Sequence, residues 1–190
     1  MNKQSEDTIH QAGAAKGPEL LITRVFDAPR TLVFQAWTEP RHLVHWWGPR
    51  GFSTPACEMD ARTGGAYHFR MRASDGREVV WQGVCRELMP PERLVWSCTI
   101  REANGNLISA ETILTVTLEE QAGKTKMTLH QAVFDTMANY EAHQNGWNEA
   151  MSPETYGPAS AERASGQTRD HAIEPQACAA PSSNVRLSTA

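Results

Sequence analysis

His42 and His45 stand three residues apart in Glu-Pro-Arg-His-Leu-Val-His, a spacing that puts two imidazoles on one face of a helix. Two imidazoles are an incomplete ligand set, and the sequence places no acidic partner for them, so solvated or interfacial histidines are the reading. Asp60 and Arg62 flank the turn Thr63-Gly64-Gly65, where an exposed ion pair or a turn cap accounts for them. Both glycines there read as positions that permit φ > 0. The pair of glycines lacks the helix and the Lys-Ser/Thr of a phosphate-binding loop. Cys57, Cys85, Cys98 and Cys178 contain no C-x-x-C pair, which argues against a zinc knuckle or a disulfide framework and for reduced, buried thiols. No Gly-x-Ser-x-Gly elbow occurs, and no cysteine has a base placed beside it by sequence. A cyclase or hydrolase would use a polar residue in the pocket, such as Tyr67, His68 or Arg70. No catalytic residue, metal or cofactor is assigned.

The stronger signal is aromatic. Between Trp37 and Trp47 the chain places three of its six tryptophans within eleven residues, ending at Gly48-Pro49. Pro40 suits the first turn of a short helix, and the residue before Pro49 is driven out of the α region, so the cluster sits on a helix-to-strand corner. Core packing is the first reading of such a corner; the wall of a cavity is the second. The candidate ligand-binding residues are Tyr67, Phe69 and Met71 on one strand, Trp81, Trp96 and Trp147, and Trp47 and Phe52 at the mouth. Apolar and aromatic side chains are what small-molecule pockets are mostly made of.

These side chains need a frame. The chain has 190 residues, 40% hydrophobic and 21% charged, with a net charge of −4, which fits one soluble domain and disfavours a nucleic-acid binder. No run reaches the roughly 18 apolar residues of a membrane span. Residues 1–17 are polar and lack a signal peptide's apolar centre, and read as a disordered, cytoplasmic lead-in.

A strand is expected over Glu19–Phe26. Two short helices follow, one with Asp27 as N-cap running to Trp37, the other from Pro40 to Trp46. Phe52–Asp60 reads as a strand at an edge or with a bulge, because Pro55 lacks a ladder donor. Five more strands are expected over Ala66–Arg72, Glu78–Leu88, Arg93–Ile100, Ile108–Glu119 and Lys124–Val133. Turns at Ser74-Asp75-Gly76, Asn104-Gly105 and Ala122-Gly123 join them as hairpins. On the first, Tyr67, Phe69 and Met71 alternate with His68, Arg70 and Arg72, giving one apolar and one wet face. A last helix opens at Asp135 and carries Met137, Tyr140, Gln144 and Trp147 at helical spacing. Pro153 ends it, and residues 153–190 are rich in Ala, Ser, Pro and Gly and read as a disordered tail. The fold class is α+β: a curved antiparallel sheet of about seven strands around a C-terminal helix, within a domain spanning 18–152.

Seven stretches in this order carry a family resemblance. They are Phe26-Asp27-Ala28-Pro29, Val33 to Pro40, Trp46-Trp47-Gly48-Pro49, Asp60 to Gly65, Pro90 to Val95, Gly123-Lys124-Thr125 and Gly146-Trp147. The chain resembles the START-like helix-grip superfamily, and within it the bacterial proteins similar to the activator of the heat-shock protein 90 ATPase. The resemblance implies a hollow between sheet and last helix that admits a small hydrophobic molecule. It also implies, as alternatives, a co-chaperone-like adaptor linked to stress response or a polyketide cyclase-like enzyme, since one fold hosts many functions. A chaperone or a homodimer partner is therefore expected beside the small molecule. The departure from the family is at the end, where Ser152-Pro153 replaces the further leucine-bearing turns of its last helix. A reading-frame change and a diverged tail both explain it. A shortened grip helix costs buried surface that a second copy could replace.

Overall fold

The computed structural model of the chain describes residues 17–152. The expected disordered lead and tail lie outside them, apart from Gly17. Seven strands occur in chain order: β1 (Leu20–Phe26), β2 (Phe52–Met59), β3 (Ala66–Ala73), β4 (Glu78–Met89), β5 (Arg93–Glu102), β6 (Leu107–Gln121) and β7 (Lys124–Ala132). Helices α1 (Arg30–Thr38) and α2 (Pro40–Leu43) follow β1, and α3 (Met137–Ala150) follows β7. All strand pairs are antiparallel in the order β1-β7-β6-β5-β4-β3-β2, a curled half-barrel with β1 and β2 at its edges. This is the helix-grip α+β architecture expected from the sequence.

Alternation sets which face is inside. On β3, Tyr67, Phe69 and Met71 are buried while Arg70 and Arg72 are exposed. On β7 the inner row is Thr125, Met127, Leu129 and Gln131. Pro55 lies where the β2–β3 register shifts, between Ser53 and Ala56, on an edge strand. The β6–β7 hairpin turns on Ala122 and Gly123, both with positive φ (50° and 80°), as a type I′ turn requires.

Three local expectations are corrected. The N-cap of α1 is Pro29, with no side-chain cap; Asp27 instead faces Lys124 at 3.6 Å. The N-cap of α3 is Thr136, whose hydroxyl accepts from the Asn139 N–H at 3.1 Å, because Asp135 uses its carboxylate on the Asn139 side chain at 2.6 Å. That bond holds the exposed Asp135 carboxyl below its ordinary pKa. Helix α2 stops at Leu43, and Val44 to Trp46 complete it as a turn.

The family-like stretches are joints. The Thr125 hydroxyl donates to the Ala28 carbonyl at 2.7 Å, pinning β7 to the corner before α1. The turn Asp60–Gly65 docks on β4 through the Gly64 and Cys85 N–H groups, bonded to the Cys85 and Gly65 carbonyls at 2.7 and 2.8 Å. The Asp60–Arg62 pair there is exposed, Nε to Oδ2 2.7 Å. Gly64 has φ 84°, but Gly65 does not have positive φ: a Cβ on it would run into the Asp60 carbonyl, so space decides that position. Among the described residues no helix is long and apolar enough to cross a membrane.

Candidate functional site

All six tryptophans meet in one cluster, with Trp47 at its centre. Its ring lies 5.4 Å from Trp46, 5.3 Å from Trp81, 5.3 Å from Trp147 and 5.0 Å from Phe69. Most of these contacts are edge-on, the arrangement that matches a ring's electropositive edge to another's face. The sequence brings the rings together from α1, the turn after α2, strands β4 and β5, and α3. Trp37 and Trp96 are fully buried, and Trp46 donates its Nε1–H to the Ala36 carbonyl at 3.0 Å.

Beside this cluster lies a cavity of about 190 Å³ between α3 and the sheet. Its floor is Met71, Val79, Trp81 and Ile100. Those residues face one another by register: Met71 pairs with Val79 across β3–β4, and Trp81 with Ile100 across β4–β5. The α3 wall includes His143, Gly146, Trp147 and Ala150, and Trp47-Gly48-Pro49 closes one end. Gly48, with φ 113°, turns the chain there. Gly146 contributes open space, since a Cβ on it would meet nothing within 4 Å. Arg77 is the one charged residue on the lining, and Ser109 and Asn139 add polar atoms.

Of the eight candidate residues, Trp47, Met71, Trp81 and Trp147 line this cavity. Phe69 and Trp96 are buried behind it, and Phe52 packs beside the core close to Gly48. Tyr67 is buried too, and its hydroxyl donates to the Ser97 carbonyl at 2.8 Å. Burial pushes that phenol's pKa well above 10.0. His68 and Arg70 do not line the cavity either. So Tyr67, His68 and Arg70 are all off its wall, where the polar side chains are Arg77, Ser109, Asn139 and His143.

Two residues that the sequence reading passed over complete the site. Gln131, fully buried, accepts from Trp147 Nε1–H at 2.7 Å and donates to the Thr112 hydroxyl at 2.8 Å. Its signal was the strand alternation that puts it inside with Met127 and Leu129. His143 is 5% exposed, and its ring lies 5.4 Å from Trp81 and 5.1 Å from Phe134. Its signal was the spacing of four from Trp147. Burial lowers its pKa below 6.5. Burial also lifts the thiols of Cys57 and Cys98 to about 12 and that of Cys85 to about 11, which keeps these three protonated. Among the described residues no three His, Cys, Asp or Glu side chains are grouped to hold a metal ion, and His42 contacts Glu39 at 3.2 Å.

A sequence profile for the family "Activator of Hsp90 ATPase homolog 1-like protein" matches residues 27–153. The chain belongs to this family. Solved structures of bacterial proteins share its fold. The AHSA1 protein of Silicibacter pomeroyi is 19% identical, with 77% of this chain and 99% of that one covered and a TM-score of 0.66. A protein of Rhizobium leguminosarum is 24% identical over 76% of this chain and 95% of its own, with a TM-score of 0.65. One from Chromobacterium violaceum is 25% identical over 75% and 96%, with a TM-score of 0.62. No curated protein matches the chain.

Proposed function

We propose that this member of the activator-like family binds a small, predominantly apolar molecule in the cavity between α3 and the sheet. The observation that carries the reading is the wall itself: Trp47, Met71, Trp81 and Trp147 around about 190 Å³, with polar atoms confined to a few positions. An apolar cavity of about 150 Å³ is already enough to take up benzene. The three described cysteines, Cys57, Cys85 and Cys98, are kept protonated by burial and do not line the cavity. Reduced thiols also fit action in the cytoplasm. The test is a thermal melt of the full-length protein with naphthalene. A binder gains stability by mass action, about 2.7 kcal/mol at a hundredfold excess over Kd. An unchanged melt with naphthalene and with benzene would remove the reading.

A second reading, a protein–protein adaptor, is favoured by edge strand β1, whose Leu21 and Val25 are 66% and 57% exposed. An exposed apolar edge is a template for adding a strand from another chain. Changing both residues to lysine should abolish a partner interface while leaving naphthalene binding intact.

A further inference from the structure

The one charge on the cavity wall stands at the outer end of a row. Arg77, Val79 and Trp81 are alternate residues leading into β4, so they share one face of the strand, and all three line the cavity. Arg77 is exposed at the β3–β4 hairpin, Val79 is buried and Trp81 half-buried. The Arg77 backbone is fixed: its N–H donates to the Asp75 carboxylate at 2.9 Å, and its carbonyl accepts from the Ala73 N–H at 2.9 Å. Its side chain is uncommitted. Among the described residues the guanidinium makes no hydrogen bond or ion pair, since Asp75 serves the backbone and Glu78 holds Arg72 at 2.8 Å. No Asp or Glu lines the cavity. The other polar side chains on its wall have partners: Asn139 donates to Asp135 at 2.6 Å, Ser109 to the Ala110 carbonyl at 3.3 Å, and His143 Nδ1 lies 2.7 Å from the Asn139 carbonyl oxygen.

Resting on the binding function proposed above, we infer that the ligand class is a compact aromatic carboxylate, with its ring against Val79, Trp81 and Trp147 and its carboxylate received by Arg77 at the mouth. A guanidinium is always charged and presents a fork of N–H donors that matches the two oxygens of a carboxylate. The tryptophan rings on the wall suit a flat body. The chain's net charge of −4 repels anions at long range, so an anion's attraction to this site has to come from the local cation. A neutral molecule of similar outline fills the apolar part of the cavity and leaves Arg77 to solvent.

The experiment is titration calorimetry of 1-naphthoate, ionised at neutral pH, and of neutral 1-naphthol, on the full-length wild type, Arg77→Gln and Arg70→Gln. Arg70 is the control, an exposed arginine of β3 that does not line the cavity. Arg77→Gln is expected to weaken naphthoate at least about 5-fold, the upper end for an exposed ion pair, and naphthol less than about 2-fold, with Arg70→Gln changing neither. Binding of naphthol but not of naphthoate to the wild type would overturn the acid assignment while leaving the cavity a binding site. Equal losses for the two ligands in Arg77→Gln, no loss for naphthoate, or the same naphthoate loss in Arg70→Gln would overturn it as well. Binding of neither probe would remove the binding function together with this inference. Should Arg77→Gln fail to fold, salt decides in the wild type: between about 0.05 and 0.5 M sodium chloride the affinity for naphthoate should fall while that for naphthol does not, and equal responses overturn the assignment.

Discussion

The indole N–H of Trp147 on α3 donates to the side-chain oxygen of Gln131 on β7 at 2.7 Å, inside the core. This bond fixes where the helix lies over the sheet, and with it one wall of the cavity. Gln131 is itself held by Thr112 of β6 at 2.8 Å, so the chain of bonds runs helix to sheet to sheet. A buried polar group in such a chain is costly to orphan.

Gln131→Leu should therefore destabilise the protein by about 1–3 kcal/mol, because it strands the buried Trp147 donor and leaves the Thr112 hydroxyl only its bond to the Cys98 carbonyl. Urea unfolding of Gln131→Leu, Trp147→Phe and the double variant forms a cycle. A coupling energy near zero would show that the bond does not set the helix position.

The tryptophan cluster separates packing from lining. Trp47 touches the other five tryptophans or their neighbours and is buried, so Trp47→Ala should cost about 3–5 kcal/mol, a large part of a total of about 5–15. Trp81 is half-buried and faces the cavity, so Trp81→Ala should cost less and weaken ligand binding more. Denaturation midpoints and naphthalene-dependent melting shifts report the two effects separately. Equal losses of stability in both variants would contradict the division.

His143 also has a pH signature. Its folded pKa lies below the unfolded value of 6.5, so the unfolded chain binds more protons between the two values. Stability is then highest above pH 6.5 and falls as pH drops toward the folded pKa. Chemical denaturation across pH 5 to 8 should show this slope in the wild type and a shallower one in His143→Phe. Identical slopes would mean that His143 is not held neutral.

The β6–β7 turn offers a gain. Ala122 sits at φ 50°, a left-handed conformation that costs a side chain about 1–2 kcal/mol and that asparagine tolerates better. Ala122→Asn should raise stability by about 0.5–1 kcal/mol, read as a higher urea midpoint with an unchanged slope.

What the sequence made legible is what depends on period and punctuation. Strand alternation placed Tyr67, Phe69 and Met71 inside, and Pro55 and Ala122-Gly123 marked a bulge and a hairpin. Caps were read less well, because two residues competed at each helix start: Asp135 had the right chemistry, yet Thr136 took the position. The stripe on α3 was read in part, since Tyr140 and Trp147 do pack on the core. Met137 is 56% exposed, whereas the face on the sheet is His143, Trp147 and Ala150. Trp81 and Trp96 carry the same ring on neighbouring strands, and only the register and the curl of the sheet put the first on the cavity wall and the second behind it. Gln131 and His143 looked like ordinary polar residues because what surrounds them is remote in sequence: Trp147 and Thr112 for Gln131, and the Trp81 ring for His143.

Gly146 gives the most direct test of the cavity as a binding site. It lies within α3, lines the cavity and leaves open space where a side chain would project. A helical glycine is less stable than alanine by about 0.5–1 kcal/mol, so Gly146→Ala should gain stability. Native mass spectrometry of the full-length wild type and of Gly146→Leu, each with added 1-naphthol, then asks whether the space is where the ligand goes. The expected result is one naphthol mass per wild-type chain and a folded, ligand-free leucine variant. Uptake of the same mass by both proteins, or by neither, would contradict the cavity between α3 and the sheet as the binding site.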